Sequence, residues 1–129
     1  MQVTSKRKFI ASTATPLVQI TFDVYAQKQH FEVQFTVEDE ISKKSLAKNL
    51  KKTIANLALV KTELSEGDFL TFLAKVVSSL DEYRYHFFDA EKVTNISQLD
   101  LLRLFFAEIA QHEEKQREKA AKKALKAIA

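Results

Sequence analysis

Hydrophobic and polar residues alternate with a period of two in Leu17 to Tyr25, where Val18, Ile20, Phe22 and Val24 are separated by Gln19, Thr21 and Asp23. The same alternation returns in His30 to Glu38, with Phe31, Val33, Phe35 and Val37 separated by Glu32, Gln34 and Thr36. Side chains alternate between the two faces of a strand, so each stretch predicts a half-buried strand. The short polar link Gln27 to Gln29 joins them as an antiparallel hairpin. Phe9 and Ile10 open a candidate third strand ahead of Pro16.

From Asp39 the period becomes helical. Glu38, Asp39 and Glu40 place negative charge where a helix N-terminus favours it, and Leu46, Leu50, Ile54 and Leu57 follow on one face. A first helix is expected from about residue 40 to 62. Ser65, with Asp68 three residues on, reads as a helix start resembling a capping box with a shorter acid. Phe69, Leu73, Val76, Leu80, Tyr83 and Phe87 then recur at helical spacing, with a break expected near Asp81. After a polar link from Asp89 to Asn95, Ser97 caps a third helix. It carries Leu99, Leu102, Phe106 and Ile109 on one side and Leu101, Leu104 and Phe105 flanking. So wide a stripe must be covered by the core or by another chain.

The pattern stops at Gln111 to Lys119, which holds no apolar residue, and the chain goes on as KQREKAAKKALKAIA. Ala is the best helix former, and the acid-to-base pairs Glu113 with Arg117 and Glu118 with Lys122 stand four apart, so the helix should continue. Ala121, Leu125 and Ile128 form a thin apolar seam, while Lys119, Lys122, Lys123 and Lys126 occupy much of the remaining surface. Such a segment is either a solvated helix end or a docking element for protein, nucleic acid or a membrane surface. Nucleic acid is a weaker reading than protein docking, because the tail has one Arg, no aromatic for stacking, and three acids among its six bases.

Composition narrows the rest. At 129 residues, 46% hydrophobic and with ten Phe, the chain has the size and apolar content of one folded domain. The charge of +3 is uneven: ten basic and five acidic side chains in residues 1–62, four and nine in 63–111, six and three in 112–129. No Cys means no disulfide framework or thiolate chemistry, and points to a reducing, cytoplasmic setting. The basic cluster Lys6, Arg7 and Lys8 precedes an apolar stretch broken by Ser12, Thr13 and Thr15, a poor secretion signal. Leu99 to Ala110, interrupted by Asp100, Arg103 and Glu108, is too short to span a bilayer. Average Gly usage would give about nine in this length, but Gly67 stands alone, which excludes phosphate-cradling and dinucleotide loops and the nucleophile elbow.

Among titratable groups, Glu82 with His86 and Glu108 with His112 stand four apart on predicted helices, yet lack the Glu-x-x-His spacing of two-helix metal sites. No metal, cofactor or small-molecule ligand is expected. The acidic block Asp81, Glu82, Asp89 and Glu91 is the one candidate for carboxylate-based hydrolysis, and a solvated rim accounts for it more simply. In DEYRYHFFD, Tyr83 and Phe87 belong to the core phase, which leaves Arg84, Tyr85 and Phe88 as candidate partner contacts, the alternative being ordinary packing. The polar face of the hairpin offers only Tyr25 for stacking on a base. Lys44, Lys48, Lys51 and Lys52, beside Lys43, share a helix face with no acid between positions 41 and 62, a nucleic-acid surface or a solvated one.

The expected protein is therefore α+β. An N-terminal antiparallel β-hairpin or three-stranded sheet packs on two or three helices over residues 16–110. Residues 1–15 are an edge strand or flexible, and residues 111–129 form a projecting basic amphipathic helix. The function expected is a non-enzymatic interaction or assembly module for another protein or a second copy, contacting it through Arg84, Tyr85, Phe88, Ala121, Leu125 and Ile128. The alternative is nucleic-acid binding through Lys44, Lys48, Lys51, Lys52, Lys122, Lys123 and Lys126. In layout alone, a hairpin followed by acidic helices ending in an aromatic and acidic turn, Val18 to Asp89 resembles small phage-encoded adaptors such as tail assembly chaperones. That resemblance implies an assembly role, as chaperone, adaptor or inhibitor.

Overall fold

A computed structural model of the chain describes residues 1–11, 16–38 and 43–128, the side chains of Lys43 and Lys44 excepted. Three strands, β1 (Gln2–Ile10), β2 (Leu17–Ala26) and β3 (Gln29–Glu38), form one antiparallel sheet in the order β1-β2-β3. Phe22 lies opposite Val33 and Ser5, and Ile20 opposite Phe35 and Arg7, so the apolar positions of β2 and β3 share one face. The third strand is thus a full edge strand. It contributes only Val3 to the core, which is why alternation of hydrophobic residues does not reveal its length. Arg7 takes an inward position: its guanidinium donates to the Ser79 carbonyl at 3.2 Å, pairs with Glu82, and lies 5.6 Å from the centre of the Tyr83 ring.

The β2–β3 link is a two-residue turn, Gln27 and Lys28, with φ of 49° and 65°. A tight hairpin of this kind needs the left-handed region at both central positions, which the right-handed strand twist selects. It is built here without glycine, from two residues that carry side chains.

The helices are α1 (Lys43–Glu63), α2 (Glu66–Leu80), the short α3 (Ala90–Val93) and α4 (Gln98–Ile128), with a 3₁₀ segment at Asp81–His86. Asp39 and Glu40, the expected acids at the start of α1, lie outside the described residues. Ser65 begins α2 as its spacing predicts: its Oγ accepts from the Asp68 N–H at 3.3 Å, satisfying one of the free donors of the first turn. Ser97 does the same for α4, accepting from the Asp100 N–H at 3.1 Å.

One core holds the layers together. Phe22 on β2 meets Phe35 and Phe72 edge-on, and Ile54, Leu57, Leu73, Val76 and Leu80 close around them. Helix α4 lies on α1, α2 and the 3₁₀ segment and runs opposite to α1. Lys61, late in α1, pairs with Glu113 at 2.8 Å, while Ala47, early in α1, shares a cleft with Lys119. The face of α4 that turns inward is Leu101, Phe105 and Ile109. The expected inner side is rotated accordingly: Leu99 and Phe106 are exposed, and Phe106 lies beneath the Lys61 ammonium at 5.7 Å.

Candidate functional site

The aromatic stretch after α2 is organised by the change from α to 3₁₀ geometry. Tyr83 has φ −104° and ψ 18°, outside helical values, and the tighter winding alters the helical phase of the next residues. Phe87 and Phe88 then both reach Phe105, with ring centres 5.7 Å and 5.3 Å away and steeply inclined planes. Phe88 is 3% exposed. It packs in the core, the alternative left open for it, so its candidate role as a partner contact is corrected at this kink.

Arg84 is likewise structural in its contacts. Its Nη1 donates to the carbonyls of Val93 at 2.7 Å and Ile96 at 2.9 Å, and its Nε donates to Asp81 Oδ1 at 3.1 Å. Its Nη2 reaches the same carboxylate oxygen. The side chain is 13% exposed, so the planar fork of donors is spent on binding the loop after α3 to the end of α2. Of the three candidate contacts in this stretch, Tyr85, 45% exposed, is at the surface.

The lysines of α1 and α4 meet. Lys51 lines a cleft of about 360 Å³ together with Lys115, Lys119 and His112, over a floor of Ala47, Leu50 and Ile54, with Glu108, Gln111 and Gln116. Lys115, Lys119, Lys122 and Lys126 recur at spacings of four, three and four, so Lys122 and Lys126 continue the cleft-facing row of α4 beyond its end. Lys48 stands three residues before Lys51, and it, Lys52 and Lys123 lie beside the cleft rather than lining it. The side chain of Lys44 lies outside the described residues.

Every described residue from Glu114 to Ile128 is helical and exposed. At a rise of about 1.5 Å per residue this is a rod of about 22 Å. Its apolar seam, Ala121, Leu125 and Ile128, lies on the side turned from the lysine row, with Leu125 67% and Ile128 84% exposed. Glu113 turns back to Lys61, and Arg117 instead pairs with Glu114 at 2.6 Å, three residues before it. That hydrogen bond raises the guanidinium pKa above its ordinary value.

His86 presents its ring edge to Tyr83 at 5.5 Å, and its Nδ1 is buried without a hydrogen-bond partner. Glu82, its expected companion, is paired with Arg7. Glu108 and His112 both line the α1–α4 cleft. Among the described residues no group of three or more His, Asp or Glu side chains is placed to hold a metal ion. His30 stacks on Tyr25 at 4.3 Å, and its Nε2 lies 3.3 Å from Asp23 Oδ1.

Fold and surface together define a small α+β protein with a three-stranded antiparallel sheet, a helical layer and a long terminal helix. No helix among the described residues is long and apolar enough to cross a membrane. Compared with protein-family models, curated proteins and solved structures, the chain matches none.

Proposed function

We propose that the protein is a non-enzymatic interaction module, an adaptor, assembly chaperone or inhibitor, that docks on another protein through the outer part of α4. One observation carries the reading: Leu125 and Ile128 stand exposed on one face of a helical rod that the domain does not cover. Exposed apolar side chains on a well-formed helix have the anchor spacing of helix-in-groove recognition, and prior helicity lowers the ordering cost of docking. Tyr85 offers an aromatic contact elsewhere on the surface. The test is a photo-crosslinking residue at Leu125, compared with one at the exposed Leu70, in the cell the protein comes from. The expected result is a defined partner captured at position 125 and lost with Ile128→Asp. The same products from both positions would refute it.

A second reading, nucleic-acid binding, is favoured by the convergence of Lys51, Lys115 and Lys119 on one cleft, with Lys122 and Lys126 in line along α4. Its test is light-scattering chromatography with a generic oligonucleotide at two salt concentrations. A salt-sensitive complex, weakened by Lys115→Glu with Lys119→Glu, supports this reading, and an unchanged elution at low salt refutes it.

A further inference from the structure

The two edges of the sheet are treated differently. β1 carries the devices that natural edges use against further pairing: lysines at positions 6 and 8, the inward charge of Arg7, and the Lys75 ammonium on the Val3 carbonyl at 3.4 Å. β3 has neither lysine nor inward charge, and its Gln34 carbonyl is held only by the neutral Asn56 amide, at 3.4 Å. Its ten residues hold no Pro, Lys or Arg, its register with β2 runs through ten consecutive pairs without a bulge, and no described strand lies on its outer side. A two-residue hairpin loop closes on a hydrogen-bonded pair, here Ala26 with Gln29, and bonding alternates from there. The backbone groups of His30, Glu32, Gln34, Thr36 and Glu38 therefore face outward, and in keeping with this the Gln34 carbonyl accepts from Asn56 Nδ2 at 3.4 Å.

Alongside this edge runs a groove of about 550 Å³, between residues Gln29 to Gln34 and the α1 residues Asn56, Leu59, Val60, Thr62 and Glu63. Leu59 on its wall is 67% exposed. We propose that the outer edge of β3 is a homodimer interface, occupied by β3 of a second copy running antiparallel about a two-fold axis at Gln34. Charge favours this occupant and register. About Gln34 the outward residues pair as His30 with Glu38 and Glu32 with Thr36, so unlike groups meet and no carboxylates face each other. An axis at Glu32 sets that carboxylate against its own copy, and an axis at Phe35 sets Glu32 against Glu38. The blunted β1 edge disfavours head-to-tail growth, which leaves the closed two-fold dimer. In that dimer the second copy's strand roofs the groove over Leu59, and both terminal helices remain free.

Light scattering tests this directly, since the monomer is 14.8 kDa. At about 100 μM, above the micromolar Kd of modest interfaces, the intact chain should run at twice that mass. Thr36→Pro removes an outward N–H without touching the β2 ladder, and by symmetry deletes two interchain bonds. It should weaken association at least about tenfold. Gln34→Lys sets like charges across the axis on an exposed position and should weaken it in the same direction if the Pro variant misfolds. Leu125→Asp with Ile128→Asp should remain dimeric, which separates this interface from docking by the terminal helix. The chain has no Cys, so Gln34→Cys should form an interchain disulfide on mild oxidation while Gln19→Cys on the central strand does not. A monomer at this concentration, a dimer indifferent to both β3 variants, or a dimer in which Cys introduced at position 34 stays reduced would overturn the proposal.

Discussion

Replacing Arg84 with Ala removes a guanidinium that holds two carbonyls and one carboxylate across three pieces of chain. A hydrogen bond to a charged group contributes about 1.5–3 kcal/mol, and a buried acceptor left alone costs about 1–3 kcal/mol. The Val93 and Ile96 carbonyls would lose this charged donor. Asp81, with a side chain 36% exposed, recovers water, so its share of the loss is discounted. The expected destabilisation is about 3–4 kcal/mol, a large part of the 5–15 kcal/mol typical of a domain. In urea, with a slope of about 2 kcal/mol per molar, the midpoint should fall by about 1.5–2 M. Arg84→Lys keeps the charge but cannot reach both carbonyls and the carboxylate at once, and should lose about half as much. A shift under about 0.5 M for Arg84→Ala, with binding lost instead, would refute the structural role assigned to this residue.

Three further changes test local features. Gln27→Asn with Lys28→Gly relieves two left-handed residues in the hairpin turn. It should stabilise by about 1–2 kcal/mol, seen as a Tm rise of several degrees, and an unchanged Tm would contradict the assignment. Ser65→Ala removes the cap of α2 and should cost about 1 kcal/mol in urea unfolding, whereas no loss would mean the Asp68 N–H finds water as readily. Gly67→Ala meets no atom within 4 Å of the added carbon. It should stabilise by about 0.5–1 kcal/mol through restriction of the unfolded chain, and destabilisation would show that the first turn of α2 needs glycine there.

Legible and illegible features of the chain divide along physical lines. β2 and β3 bury one face each, so their alternation is complete, and Ser65 and Ser97 are legible because a cap is a contact between residues three apart. β1 is only half visible because its inner positions after Val3 are Ser5, Arg7 and Phe9, and Arg7 is held by α2 and Tyr83 rather than by apolar neighbours. Periodicity misplaces Phe88 because a local 3₁₀ turn alters the phase that a uniform period carries forward. The inner face of α4 is set by Phe87 and Phe88 meeting Phe105, a contact that no periodicity within α4 contains. The separate lysine rows of α1 and α4 are visible as patterns, but their convergence on one cleft depends on how two helices distant in sequence cross.

Docking by the outer part of α4 requires that this segment be a helix free of the domain. Residue-resolved amide exchange, read with the carbon chemical shifts of the purified protein, measures both properties. The prediction is helical shifts through Glu114–Ile128 together with exchange orders of magnitude faster than at Leu101, Phe105 and Ile109. Protection in the tail equal to that of those three core residues would mean it is folded against the protein, and coil-like shifts would mean there is no formed helix to dock; either result contradicts the account.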